Sequence, residues 1–316
     1  MIFIRRPQTD PFFNLAAEEY ILRNSREDVL MLWQNEPAVV VGKHQNALAE
    51  VNMDFVRENN IPVIRRISGG GTVYHDLGNI NMTCISTSGK QGNLIDFRKF
   101  TQPVIDFLKQ FGLEASFEGK NNLVVNGKKI SGNSAHVFKN KVMHHGTFLY
   151  STDLDRLEKV IHPGSGYIVD KSIKSVRATV GNMAGFLKHP LTINVFKSQL
   201  EQFLIDYHHI NKILDLSGEE QKVIEKLTQE KYHRWEWNIG YSPKYSLEGE
   251  RDTEYGKFHV SLEVKEGKIT DIALLFEGKK LEKIEQKLLG QKHDKVHLQN
   301  ILADNHFSEV IINTLF

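Results

Sequence analysis

Three consecutive glycines, Gly69-Gly70-Gly71, interrupt strand-forming residues in the stretch RRISGGGTVYHDLGN, Arg65 to Asn79. Glycine loses more backbone freedom on folding than any other residue, so three together within a sheet need a cause. Residues 63–68, 72–74 and 80–86 read as strands around them. Two readings fit: a glycine bulge, or bare backbone facing a polar cleft. The neighbours favour the cleft. Arg65, Arg66, Ser68, His75, Asp76 and Asn79 cannot all alternate into an apolar core. Bare N–H groups suit an anion, yet the standard phosphate loops do not match. Thr72-Val73 stands where a Walker A loop has Lys-Ser/Thr, and Tyr74 where a dinucleotide loop has its third glycine. The run also leads into a strand, so no helix N-terminus receives the anion.

Around this feature, strands come in clusters between helices. Asp10-Pro11 opens a helix, 29–33 and 38–41 are strand-like, and helices are expected over 48–59 and 97–111. Strands return at 123–125, 128–131 and 146–150, with Asn126-Gly127 a hairpin turn. Phe196, Leu200, Phe203, Leu204 and Tyr207 mark a later helix, and Ser217 with Glu220 forms a capping box for another. The polar, Gly-containing stretch after Tyr245 reads as a linker at 246–252, between a large domain at 1–245 and a small one at 253–316. This element order predicts an α+β fold.

Charge excludes one class of partner. With 40 basic and 39 acidic residues, the chain has no bulk attraction to nucleic acid or anionic membrane. Its single cysteine permits no intramolecular disulfide and fits a reducing compartment. No stretch has membrane-spanning length, and the N-terminus lacks a secretory signal pattern, so a cytoplasmic protein is expected.

A second polar cluster runs from Asn126 to His136, NGKKISGNSAH, followed by HHGT at 144–147. Lys129 borders an expected buried Ile130, and a lysine at a cleft edge neutralises phosphate or acyl-phosphate oxygens; Lys128 suits a solvated face. Ser131-Gly132 again offers bare backbone. His144 and His145 point to opposite faces of a strand and have no third ligand at metal spacing. The stretch at 172–182, SIKSVRATVGN, either closes over a ligand or connects two elements. Cys84 sits in a hydrophobic strand with no base beside it, which suits a structural role.

These clusters, in this order, resemble the lipoate–protein ligase family. Arg65 to Asn79 is similar to its R-R-x-S-G-G-G-x-V-x-H-D-x-G-N signature, and Gly127 to Gly132 to its G-x-K-[VI]-S-G strand. His144-His145-Gly146-Thr147 resembles its H-H-G-T, and Asp10 to Glu19 its D-P-x-x-N-L-A-x-E-E. Val176 to Asn182 resembles its adenylate-binding loop, and Trp237 to Pro243 the segment ahead of its small domain. The resemblance implies a large mixed-sheet domain of biotin/lipoate-ligase type with a small α+β C-terminal domain. It implies that ATP and lipoate form lipoyl-adenylate, with Mg2+, before transfer to a carrier lysine. The carriers implied are lipoyl domains of 2-oxo acid dehydrogenase acyltransferase subunits, the glycine-cleavage H protein, or both. Lys129 is the implied catalytic residue. The implied binding residues are Arg66, Ser68, Gly69, Gly70, Gly71, Thr72, Tyr74, His75 and Asn79 from the first cluster. Asn122, Ser131, Gly132, His145, Gly146, Arg177 and Thr179 complete the set. Asn122 replaces the aspartate common in the family, so magnesium would be held by phosphates and water. Two rivals share the fold: an octanoyl- or lipoyl-transferase acting between carriers, and a non-catalytic lipoate-binding protein.

Overall fold

The computed structural model describes residues 1–87, 95–161, 168–176 and 178–316. Eight strands form the main sheet, in the order Ile213–Leu214, Ile2–Ile4, Val29–Trp33, Asn79–Thr87, Lys141–Leu149, Lys128–Phe138, Asn122–Val125 and Ser116–Glu118. The edge around Ile2–Ile4 is parallel and the centre antiparallel. Both faces are covered, which explains the unbroken apolar run of Val29–Trp33, buried throughout. Helices Phe97–Lys109 and Ile193–Tyr207 pack on one face, and helix Pro11–Asn24 on the other. That last helix starts where its sequence dictates: Asp10 accepts from the Phe13 N–H at 2.8 Å, and Pro11 occupies the first turn. A three-stranded sheet, Val63–Arg65, Ala38–Val41 and Val73–His75, lies over this second face.

The expected helix over 48–59 is instead two short helices, Ala47–Glu50 and Met53–Glu58. Asn46 and Asn52 each accept from the backbone two or three residues on, so the second asparagine restarts the chain as a new cap. The stretch expected as linker is also corrected. Tyr245–Thr253 is a strand paired along its length with Gly256–Lys265, in a five-stranded C-terminal sheet. Its polar residues face out while Tyr245 and Leu247 alternate inward; a solvated strand face looks like a linker in composition. Ile168–Asp170 joins the edge of the same sheet.

Arg65 ties the three-stranded sheet to the segment that leads into the C-terminal sheet. Fully buried, it donates to the carbonyls of Gly42, Lys43, Gln45, Trp237 and Asn238 and to Ser242 Oγ, at 2.7–3.1 Å. Among the described residues, no helix is long and apolar enough to cross a membrane.

Candidate active site

One row of paired residues crosses the main sheet: Trp33 faces Asn81, Asn81 faces Thr147, Thr147 faces Gly132, and Gly132 faces Asn122. Directly paired residues share a face, so the five form one line. From Trp33 to Gly132 the line spans about 14 Å, three inter-strand spacings. It is the floor of a cavity of about 420 Å³, roofed by Val40, Gly70, Gly71 and His75. Leu15 and Val40 make the Trp33 end apolar, while Lys129, Asn121 and Asn122 line the other.

Strict alternation would put Lys129, three residues from Gly132, on the opposite face. A register shift corrects this: Leu123 faces Ser131 but Val124 faces Lys129, leaving Ile130 without an opposite residue. The irregularity turns Ile130 into the apolar core and Lys129 into the cavity. Gly132 lets the lysine lie flat, since a Cβ there would meet Cε and Nζ at 3.1 Å. Among the described residues, Nζ has no hydrogen-bond or ion-pair partner, and burial lowers its pKa. The backbone of Lys129 is held on the other side: its N–H donates to the Thr179 carbonyl at 2.8 Å, and its carbonyl accepts from Gly181 at 3.0 Å.

A second cavity of about 510 Å³ adjoins the first and shares Thr72, Lys129, Gly132, Thr147 and Ser175 with it. Its own walls mix apolar Leu149, Leu154, Leu157, Ile161 and Val180 with Tyr74, Ser131 and Thr179 and the carboxylates of Asp155 and Glu158. Lys129 therefore stands in the partition between two chambers.

The glycine turn is built by Arg66. Its Nη2 donates to the carbonyls of Gly69 and Gly71 at 2.6 and 2.8 Å, Nη1 to Val40 at 3.1 Å, and Nε to Ser68 Oγ at 3.0 Å. Arg66 lines the cavity, but its donors chiefly shape the turn. Gly70 holds φ at +87°, a conformation that disfavours any side chain. Gly69 is not in the wall, and a Cβ there would meet open space, so only two of the three glycines front the cavity. Ser68 also departs from its expected contact with a ligand. Fully buried, it lies 2.6 Å from His145 Nε2, while His145 Nδ1 faces Glu18 Oε1 at 3.0 Å. Glu18 in turn accepts from Thr83, which accepts from Trp33 Nε1. Gly146 is bare because the Asn133 amide lies across it; a Cβ there would come within 1.9 Å of Oδ1.

His75 lines the cavity, and burial together with Arg66 and His145 pushes its pKa down to about 3. It is neutral at physiological pH. Asn79 does not reach the wall; it accepts from Thr147 Oγ1 and donates to Asn81 Oδ1 at 3.0 Å. Arg177 lies outside the described residues. Sequence reading missed Trp33, Asn81, Asn121 and Asn133 as wall residues, and also Ser175. Ser175 Oγ accepts from the Thr72 N–H at 2.9 Å, pinning the 168–176 segment against the glycine turn. Cys84 faces away from the cavity, paired with His144 in the sheet, and burial pushes its thiol up to about 12.

Residues 10–205 match the lipoyl protein ligase A/B catalytic domain family, and residues 242–315 match the bacterial lipoate protein ligase C-terminus family. A lipoate–protein ligase of Staphylococcus aureus is 38% identical over 301 residues, covering 94% of this chain and 91% of its own. Among solved structures, the bipartite lipoate protein ligase of Thermoplasma acidophilum, described with its E2 lipoyl domain, superposes with a TM-score of 0.65 at 26% identity. That match covers 76% of this chain and 96% of the other. A lipoate-protein ligase A bound with ATP superposes with a TM-score of 0.64 at 26% identity, covering 76% and 98%. With both regions matched and a close relative along nearly its full length, the chain belongs to the lipoate–protein ligase family.

Proposed function

We propose that this ligase joins lipoate to ATP as lipoyl-adenylate and then passes the lipoyl group to a lysine of a carrier domain. The observation that carries this reading is Lys129, an ammonium without a partner among the described residues, in the partition between two chambers. We assign the narrow floor from Trp33 to Gly132 to the acyl chain, with its carboxylate at the Gly132 end. The second cavity takes the base and ribose. Carboxylate and α-phosphate then meet beside Nζ.

In the first step a carboxylate oxygen attacks the α-phosphorus; the new O–P bond forms as the bond to pyrophosphate breaks. In the second, the carrier amine attacks the acyl carbon, AMP leaves with the C–O bond electrons, and the amine loses a proton as the amide forms. Both transition states gather negative charge on oxygens next to Lys129. A fixed cation there stabilises each without becoming covalently attached. Burial makes the uncompensated ammonium costly, so phosphate and carboxylate oxygens are its natural partners.

Mg2+ fits this site through neutral oxygens. Among the described residues no carboxylate lines the first cavity, and Asp155 and Glu158 line only the second; Asn122 lies in the first cavity's wall and Asn133 Oδ1 is buried there without a donor. Those two amides would hold the ion beside phosphate oxygens, where it would neutralise phosphate charge. The ATP-bound relative supports ATP as a substrate, and the relative described with its E2 lipoyl domain supports the carrier class. Lipoyl domains of 2-oxo acid dehydrogenases and the glycine-cleavage H protein are the carriers we propose, acting in the cytoplasm.

Pyrophosphate release, followed with lipoate, ATP and magnesium but no carrier, tests the first step. Release that depends on lipoate is expected; its absence would sink the adenylating reading.

A further inference from the structure

The floor that runs from Trp33 to Gly132 continues outward. The next paired residue is Asn122, one inter-strand spacing of about 5 Å beyond Gly132. Asn122 itself pairs with Glu118, so residues 119–121 form the turn between the last two strands of the sheet. Gly119 holds φ at +63°, Lys120 stands exposed at the apex, and both line the outer end of the first cavity.

This turn is clasped to the neighbouring strand. The Asn121 carbonyl accepts from the Asn133 N–H at 3.0 Å and from Asn133 Nδ2 at 2.8 Å. Asn121 Nδ2 donates back to the Asn133 carbonyl. Lys120, one residue from the clasp, is therefore carried on backbone fixed to the cavity floor.

The other cations of the wall are already committed. Arg66 holds the glycine turn, Lys174 pairs with Asp170 at 2.9 Å, and Lys129 faces the reacting centre. Among the described residues Lys120 has no hydrogen-bond or ion-pair partner, and no carboxylate shares the wall with it. An anion at this end meets only cations and amides.

Phosphoryl displacement sets the attacking and leaving oxygens roughly in line across phosphorus. The carboxylate arrives along the floor from the Trp33 side, and the nucleoside occupies the second cavity. The leaving group then departs in the remaining direction, past Gly132 toward Asn122 and Lys120. We propose that Lys120 is a catalytic residue of adenylation alone, holding the β- and γ-phosphates of ATP and then the departing pyrophosphate. As the carboxylate oxygen bonds to the α-phosphorus, the electron pair of the breaking P–O bond moves onto pyrophosphate. The Lys120 ammonium stabilises that charge and keeps its proton. Transfer to the carrier amine expels AMP instead, so Lys120 takes no part in it. The inference rests on the ligase reading and its placement of the two substrates.

The test separates the half-reactions in the intact chain. Lys120→Met keeps an unbranched side chain and removes the charge. Its kcat/KM for ATP in lipoate-dependent pyrophosphate release should fall about thirtyfold, the worth of one charge-assisted hydrogen bond. Transfer from chemically prepared lipoyl-adenylate to an apo lipoyl domain should keep its rate, which also shows that the variant folds. Lys120→Arg should recover most of the loss, because a cation stays on the turn. In the reverse direction, ATP formation from lipoyl-adenylate, Lys120→Met should raise the KM for pyrophosphate. Unchanged pyrophosphate release in Lys120→Met, or equal slowing of both half-reactions, would overturn the role while leaving the ligase reading intact. No release from the unaltered protein would remove both.

Discussion

The two large sheets share a strand chemistry but have opposite interiors. In the C-terminal sheet, Gly256–Lys265 alternates cleanly, with Phe258, Val260, Leu262 and Val264 all buried among apolar neighbours. In the main sheet, the row behind Trp33 carries two asparagines, a threonine and a glycine into the interior. A buried histidine packed beside each sheet differs in the same way. His293 is met on both nitrogens, by the Tyr245 hydroxyl at 2.6 Å and the Leu315 carbonyl at 3.0 Å. His75, on the three-stranded sheet over the main-sheet cavity, is met on one among the described residues. A buried polar group left unpaired costs about 1–3 kcal/mol. The first sheet is therefore packed for stability, and the second keeps open groups where a ligand completes them.

The largest way to break this contrast is at Lys129. Lys129→Ala should lower pyrophosphate release by about 10³-fold or more, worth roughly 4 kcal/mol of transition-state stabilisation, with little change in melting temperature. Normal release would contradict the role given to the lysine. Phe258→Ala should do the reverse. Its cavity in the C-terminal core should cost about 3 kcal/mol in urea unfolding, while the folded protein keeps adenylate formation.

Acid sharpens the comparison further. Burial holds His75 near 3 and His293 near 4, both below the unfolded value of 6.5. Below pH 6.5 the unfolded chain takes up protons that the fold refuses, so stability falls as pH drops from about 6.5 toward those values. At pH 5.5 each histidine should remove about 1.4 kcal/mol, one from each region. Unfolding midpoints that stay flat between pH 7 and 5.5 would contradict neutral buried rings. The smallest effect belongs to Cys84→Ser, which should change carrier lipoylation less than about twofold, because the thiol is protonated and faces the helix side. Loss of transfer with adenylate formation intact would instead favour a thioester route.

The sequence made the strands, the hairpin at Asn126-Gly127 and the alternating C-terminal strand legible, because local pattern and burial agree there. Lys129 was legible through its motif, but its direction depends on the register shift at Leu123/Val124, a pairing detail no single strand encodes. Arg65 and Arg66 look equivalent in sequence. One clamps the C-terminal segment and the other builds the glycine turn, because successive residues face opposite sides. Ser175 and Asn133 were missed for a related reason: each gains its role from a partner far along the chain, Thr72 and Gly146. The 246–252 stretch misled because a solvated strand face has linker composition.

The central claim is complete ligation. An apo lipoyl domain incubated with this protein, lipoate and magnesium, with and without ATP, would be weighed by mass spectrometry. A mass gain of one lipoyl group that appears only with ATP is the expected result. No gain with ATP present, or a gain from an acylated donor without it, would contradict the account.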